Sequence, residues 1–313
     1  MNKVTIIGAG HVGSSVASTI LDKNLADELA LIDLNQGLAL GEIMDLKDSS
    51  YITYPDKILK VGTYDDVKDS SFVVITAGLS QANANNKEGR MNGLAKCVAI
   101  ITSIIKELKN RNYDGFIIIA SNPLDIMTYY SYKLSGLSTN KVIGTGTLLD
   151  STRLRIILAS KLNVSVSDID AYSLGEHGNT QFMCSSLATV REVPLKEYLK
   201  TSLHMSDTTS YLDEIENQVK RYGFEILERK GGTYYGVASA VARIIKAIIN
   251  NEKVVLPVCT YVNDEYGIKD TYISVPATIS KEGAVALKDV KLSSEELKKL
   301  QDSANFIKSS ISI

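Results

Sequence analysis

Cysteine is scarce in this chain: Cys97, Cys184 and Cys259 are the only three among 313 residues. Widely spaced and odd in number, they exclude a disulfide framework and fit a reducing compartment, so residence in the cytoplasm is expected. No two form a CxxC pair, so no zinc or other metal is expected, and they read as small core hydrophobes. Charge imbalance is equally slight. The 34 Lys and Arg against 36 Asp and Glu leave a formal net charge of −2. That gives no electrostatic footprint for nucleic acid or an anionic membrane. The longest apolar runs, such as Phe116 to Ala120, fall far short of the roughly 20 residues that span a bilayer. No repeat, low-complexity tract or Pro/Gly-rich linker interrupts the chain. Met1-Asn2-Lys3 passes directly into a strand pattern, with no signal-peptide layout.

What is present is an alternation. Val4 to Ile7, Glu28 to Asp33, Ile58 to Val61, Phe72 to Thr76, Phe116 to Ala120 and Lys141 to Gly144 read as short apolar strands. Between them come helical spacings such as Val12, Val16 and Ile20, or Leu94, Val98, Ile101 and Ile105. Continuous apolar strands separated by helices predict an α/β fold with a parallel sheet covered on both faces, doubly wound by right-handed crossovers. After about residue 150 the pattern changes. Two long helical segments, about 208–230 and 233–250, are followed by alternating runs at Lys253 to Val262 and Tyr272 to Thr278. A capped helix from Ser293 closes the chain, with Glu295 and Glu296 behind the cap. A length of 313 residues suits two domains of about 150 residues each.

Two stretches carry chemistry. Gly8-Ala9-Gly10-His11-Val12-Gly13 follows a strand, opens a helix and is answered by Asp33 at the end of the next strand. In that context GxGxxG is a pyrophosphate cradle. Gly8 permits the turn, Gly10 the approach of the phosphates, and Gly13 close helix–strand packing. Asp33 can accept from both ribose hydroxyls and would repel a 2′-phosphate. Leu34 and Asn35 behind it supply no arginine, so NAD is expected over NADP. Thr76-Ala77-Gly78 and Ser121-Asn122-Pro123 close two further strands and line the same crevice; taken alone they read equally as turn and helix cap. The second stretch, Gly175-Glu176-His177-Gly178-Asn179, offers one histidine on a glycine-flanked loop, a proton carrier near neutral pH. Asp150-Ser151-Thr152-Arg153 opens a helix. It reads either as an N-cap with a surface charge or as two groups addressing one cleft. His11, inside the glycine turn, packs beside the cofactor site without doing chemistry, and His204 is solvated.

In order, GAGHVG at 8–13, Asp33, TAG at 76–78, SNP at 121–123, LDSTR at 149–153, GEHGN at 175–179 and GGTYYG at 231–236 resemble the L-lactate/malate dehydrogenase family over nearly the whole chain. The resemblance implies a Rossmann NAD-binding domain over 1–148 and an α+β substrate domain over 149–313. It also implies hydride transfer between NAD and a small 2-keto or 2-hydroxy acid, and a homo-oligomer, dimeric or tetrameric. His177 would be the acid/base, Asp150 its orienting carboxylate, and Arg153 the grip on the substrate carboxylate. Arg90 would polarise the reacting carbonyl, while Asn122 and Thr233 would contact substrate. Gly8, Gly10, Val12, Gly13, Asp33, Ala77, Gly78, Ser121 and Asn122 would hold NAD. A non-catalytic NAD-binding protein is the alternative, but it would need none of Arg90, Asp150, Arg153 and His177.

The chain also departs from common members of that family. The loop from Gly78 to Arg90 is about three residues longer than in typical lactate or malate enzymes and carries only Lys87 beside Arg90. The missing second arginine argues against malate. The length resembles the L-2-hydroxyisocaproate dehydrogenase branch, although pyruvate remains an open alternative. Members activated by a sugar bisphosphate carry a histidine where this chain has Asp170. Arg155 remains, but an acidic partner repels phosphate, so no such activation is expected.

Overall fold

A computed structural model describes residues 2–79 and 87–311, the side chains of 87–92 excepted. Elements begin with β1 (Lys3–Ile7), α1 (His11–Asp22), β2 (Glu28–Ile32), α2 (Gln36–Thr53), β3 (Ile58–Val61), β4 (Phe72–Ile75) and α3 (Lys87–Asn110). Next come β5 (Phe116–Ile119), α4 (Leu124–Ser135), β6 (Val142–Gly144), α5 (Leu148–Leu162), β7 (Ile169–Leu174), β8 (Phe182–Val190) and β9 (Val193–Pro194). The remainder are α6 (Leu195–Ser202), α7 (Thr209–Lys230), α8 (Tyr235–Ile249), β10 (Val254–Val262), β11 (Thr271–Ser280), β12 (Gly283–Ala286) and α9 (Ser294–Ile311). The chain divides into two compact units. The first is Met1–Thr145, Thr233–Val254 and Ile279–Ala284; the second is Gly146–Gly232, Val255–Thr278 and Val285–Ile313.

In the first unit six strands run in the order β3-β2-β1-β4-β5-β6, each pair parallel. This is the doubly wound sheet expected from the apolar runs. Ile6, Leu29, Leu31, Ile75 and Ile117 are fully buried because helices cover both faces. Each such side chain contributes about 1.5–3 kcal/mol of transfer free energy. At the start of the strands Lys3 pairs with Glu28, Asp66 and Asp69, and Lys60 with Glu28 and Asp66. That charge cluster lies at the opposite strand ends from the glycine turn. The winding reverses between β1 and β4, so their carboxyl ends border the crevice where open α/β sheets bind ligands.

In the second unit α5, α6 and α7 enclose a core with β7 and β8, built from Leu154, Leu158, Leu199, Ile215 and Val190 among others. The β7–β8 register slips: Asp170 faces Thr189, but Tyr172 faces Cys184. Five residues on β8 thus span two on β7, and the slip takes Ser185 and Ser186 off the regular ladder. Glu296 of α9 accepts instead from Ser186 N–H (2.9 Å), Ser185 Oγ (3.1 Å) and Ser293 N–H (2.9 Å). Ser293 Oγ accepts from Glu296 N–H in return, closing the capping box its sequence announced.

Burial alone pushes the Glu296 carboxyl up, but the hydrogen bonds from Ser186 and Ser293 outweigh it and hold the group at about 2. A carboxyl depressed in the folded state stabilises above its unfolded value, near 4.5, and that stabilisation fades as pH falls towards 2. Glu296→Gln is therefore expected to cost about 2 kcal/mol at pH 7, with the deficit shrinking between pH 4.5 and 2. Urea melts of both proteins at pH 7 and pH 3 check this. An equal deficit at both pH values would show that charge is not the cause.

Candidate functional site

The first unit assembles the glycine turn from three strand ends. Gly8 has φ +113° and donates to Ile32 O at 2.8 Å. A Cβ on it would sit 2.6 Å from Thr76 Oγ1 and 2.7 Å from Ala77 N. A Cβ on Gly13 would lie 1.8 Å from Gly8 O, so helix α1 approaches the turn as closely as backbone allows. Gly10, the N-cap of α1, is different: it caps with no side chain, and a Cβ there meets nothing within 4 Å. Two glycines are thus packed shut and the middle one faces open space. That is the shape a pyrophosphate approaching the amides of a helix N-terminus requires.

Asp33 stands just past β2. Its Oδ2 accepts from Ala9 N–H (2.7 Å) and its Oδ1 from Asn35 N–H (2.8 Å). A carboxylate has about four acceptor sites, so capacity remains for ribose hydroxyls. Val12 lies in the first turn of α1 and is half-buried. Ser121 Oγ donates to Ala77 O at 2.6 Å, joining the ends of β4 and β5, and Gly78 lies 3.9 Å from Ser121 Cβ, measured from its would-be Cβ. Asn122 is exposed, and its bond to Pro123 is cis. Thr233 is half-buried just ahead of α8. Its neighbour Tyr234 lies 5.4 Å, centroid to centroid, from the ring of His11. His204 is exposed. Arg90 belongs to α3, but its side chain lies outside the described residues.

The second unit brings Asp150, Arg153 and His177 together. Helix α5 starts two residues before Asp150, with Thr147 as N-cap. Asp150 is thus inside the first turn with its side chain turned into the protein, not capping. Ser173 N–H donates to Ser151 Oγ at 2.9 Å, and Ser151 Oγ in turn reaches Ser173 O at 3.3 Å, tying this turn to β7. At the end of β7, Gly175 takes φ +98° and pairs with Ser274. The chain turns there and presents His177 back to Asp150.

His177 Nδ1 lies 2.7 Å from Asp150 Oδ2, and Arg153 Nη1 donates to Asp150 Oδ1 at 3.1 Å. Asp150 is 2% and Arg153 9% exposed at the side chain, against 28% for His177. A carboxylate only accepts, so Nδ1 carries the proton and Nε2 is the nitrogen turned away from Asp150. Burial pushes the Asp150 carboxyl up, but His177 and Arg153 pull it further down, leaving it below the usual carboxylate range. The charge survives burial because each oxygen has a cationic or hydrogen-bonding partner. Arg153 lies over the Tyr222 ring, its Cζ 5.7 Å from the centroid. Gly223 faces the same guanidinium: a Cβ there would come within 3.3 Å of Nη1. Tyr222 and Gly223 carry no motif that sequence reasoning could have read. Asp170 pairs with Arg155 Nη2 at 3.4 Å.

The three cysteines are buried and none of them forms a disulfide. Among the described residues, no helix is long and apolar enough to cross a membrane. Residues 2–144 match the family model for the lactate/malate dehydrogenase NAD-binding domain, and 147–313 that for the alpha/beta C-terminal domain of the same family. The chain is 41% identical over 306 residues to an L-lactate dehydrogenase of Pediococcus acidilactici, covering 98% of this chain and 93% of that protein. It is 40% identical to one of Borrelia hermsii, covering 99% and 97%. Among solved structures, the ligand-bound minor L-lactate dehydrogenase of Enterococcus mundtii superposes with a TM-score of 0.91 at 37% identity, over 99% of this chain and 98% of that one. A lactate dehydrogenase from a Medee basin deep-sea metagenome superposes with 0.92 at 35%, over the same shares.

Proposed function

The chain belongs to the lactate/malate dehydrogenase family, and from that membership and the Asp150–His177–Arg153 cluster we propose an NAD-dependent L-2-hydroxyacid dehydrogenase of the lactate type. The observation that carries the reading is the 2.7 Å contact of His177 Nδ1 with a buried carboxylate. Asp150 fixes the tautomer, so Nε2 takes the substrate hydroxyl proton during oxidation and returns it during reduction. The imidazolium formed on the way is stabilised by the Asp150 charge. Arg153, aligned by Asp150 and Tyr222, binds the substrate carboxylate through two parallel hydrogen bonds. Arg90 polarises the reacting carbonyl, and Asn122 and Thr233 contact substrate.

NAD, when bound, supplies the two-electron acceptor. Gly8, Gly10, Val12 and Gly13 would hold its pyrophosphate, and Asp33 its ribose. Ala77, Gly78, Ser121 and Asn122 would line the remainder. We place the boundary of the cofactor domain at residue 148 and locate the protein in the cytoplasm, where its buried thiols, none in a disulfide, stay reduced. A homo-oligomer is supported by the apolar side chains that α2 leaves exposed, Leu40, Met44 and Tyr51 among them.

NADH oxidation with pyruvate, 2-ketoisocaproate and oxaloacetate tests the reading. Turnover is expected with pyruvate or the branched acid, with oxaloacetate the poorest of the three. The longer loop is the reason for including the branched acid. Failure with every 2-keto acid would leave only a cofactor-binding protein. Fructose 1,6-bisphosphate is expected to leave kcat/KM unchanged within twofold, because Asp170 already occupies Arg155 and repels phosphate. Clear stimulation in the same assay would contradict that.

A further inference from the structure

We propose that Ser303, in the middle of α9, is a positioning residue for His177. It acts through a closed ring of hydrogen bonds with Glu176 and Thr180. The inference rests on the dehydrogenase reading only in that it names His177 as the acid/base.

The ring can be traced atom by atom. Glu176 N–H donates to Ser303 Oγ at 2.8 Å. Ser303 and Thr180 hydroxyls lie 2.7 Å apart. Thr180 Oγ1 donates to Glu176 Oε2 at 2.7 Å, and Thr180 N–H donates to the same oxygen at 3.1 Å. Each hydroxyl has one proton. Thr180 spends its proton on the carboxylate, so Ser303 must give its own to Thr180 and accept from the Glu176 amide. Every hydrogen in the ring then has one destination, and a fully satisfied polar circuit has one geometry. His177 lies between the two loop residues this circuit holds.

The surroundings are built for it. Ser303 is 1% exposed and shares the buried face of α9 with Leu300, Ala304 and Ile307. A hydroxyl there costs free energy unless it is paired. The glycines on either side of the histidine clear the space. A Cβ on Gly178 would lie 2.4 Å from Glu176 Oε1, and one on Gly175 3.0 Å from Ser303 Oγ. The glutamate of this loop is therefore not a second catalytic acid. Its carboxylate folds back under Gly178 and fastens the loop to the last helix of the chain.

The test compares wild type with Ser303→Ala, Thr180→Val and the conservative Thr180→Ser. In Ser303→Ala and Thr180→Val, kcat with pyruvate is expected to fall about tenfold, the scale of a small displacement of a catalytic group. NADH affinity should stay within twofold, and Thr180→Ser should restore the rate. Independently of turnover, the downfield proton resonance of His177 Nδ1–H, assigned by its absence in His177→Ala, should shift or broaden in the two disruptive variants and return in Thr180→Ser. Folded Ser303→Ala and Thr180→Val proteins with that resonance and kcat unchanged would overturn the proposal. If wild type turns over no 2-keto acid, the dehydrogenase reading fails and the resonance alone decides the ring.

Discussion

His177→Ala is expected to lower kcat with pyruvate by a factor on the order of 10³–10⁴ while NADH affinity stays within twofold. General acid–base transfer by a positioned side chain contributes up to about 10⁴. Here the imidazole is held at 2.7 Å by a carboxylate 2% exposed, so its loss removes both the proton carrier and one of the two groups Asp150 orients. Cofactor affinity should survive because the glycine turn, Asp33 and the ends of β4 and β5 all lie in the other compact unit. Stopped-flow mixing with NADH, followed by steady-state turnover, separates the two quantities. A variant retaining more than a tenth of the wild-type rate would remove His177 from its assigned role.

Arg153→Lys is expected to lower kcat/KM for the 2-keto acid by about 10³, equivalent to about 4 kcal/mol. Most of the change should fall in KM. Lysine keeps the charge that balances Asp150, so the fold should persist. What it lacks is the planar fork that makes two parallel bonds to a carboxylate while stacking on Tyr222. Arg153→Ala is the harsher change. Among the described residues it leaves Asp150 with His177 alone as a partner in a buried site, and losing one member of such a pair costs about 3–5 kcal/mol of stability. Equal kcat/KM for the lysine variant and wild type would show that Arg153 serves the fold and not the substrate.

The parallel half of the fold was legible because its strands are continuous apolar runs and its turns are marked by glycine. The expected strands agree with the observed ones within about two residues at each end. Helix α2 was not legible. It buries Ala39, Ile43 and Leu46 on one side while exposing Leu40, Met44 and Tyr51 on the other, so no apolar stripe announces it. Strands β7 and β8 were missed: β7 is only six residues long, and β8 is buried continuously over Phe182–Cys184 and alternates only afterwards, so no single period announces it. Helix α8 follows the GGTYYG segment in sequence, yet it joins the first unit, where it packs on α1. Pattern reading assigns a helix by its place in the chain, whereas packing assigns it by which apolar face it can cover.

By itself the sequence determined the chemistry on offer. A glycine cradle answered by Asp33, one histidine between glycines, and an Asp–Arg pair three apart are properties of residues close along the chain, so local stereochemistry suffices to read them. Tertiary structure alone decided how those groups are held. It supplied the Asp150 contact across 27 residues, the Tyr222 and Gly223 seat for Arg153, and the fastening of Glu176 by Ser303 from 127 residues away. A hydrogen bond between distant residues depends on where the packed elements place two atoms within about 3 Å. No spacing or periodicity along the chain encodes that distance.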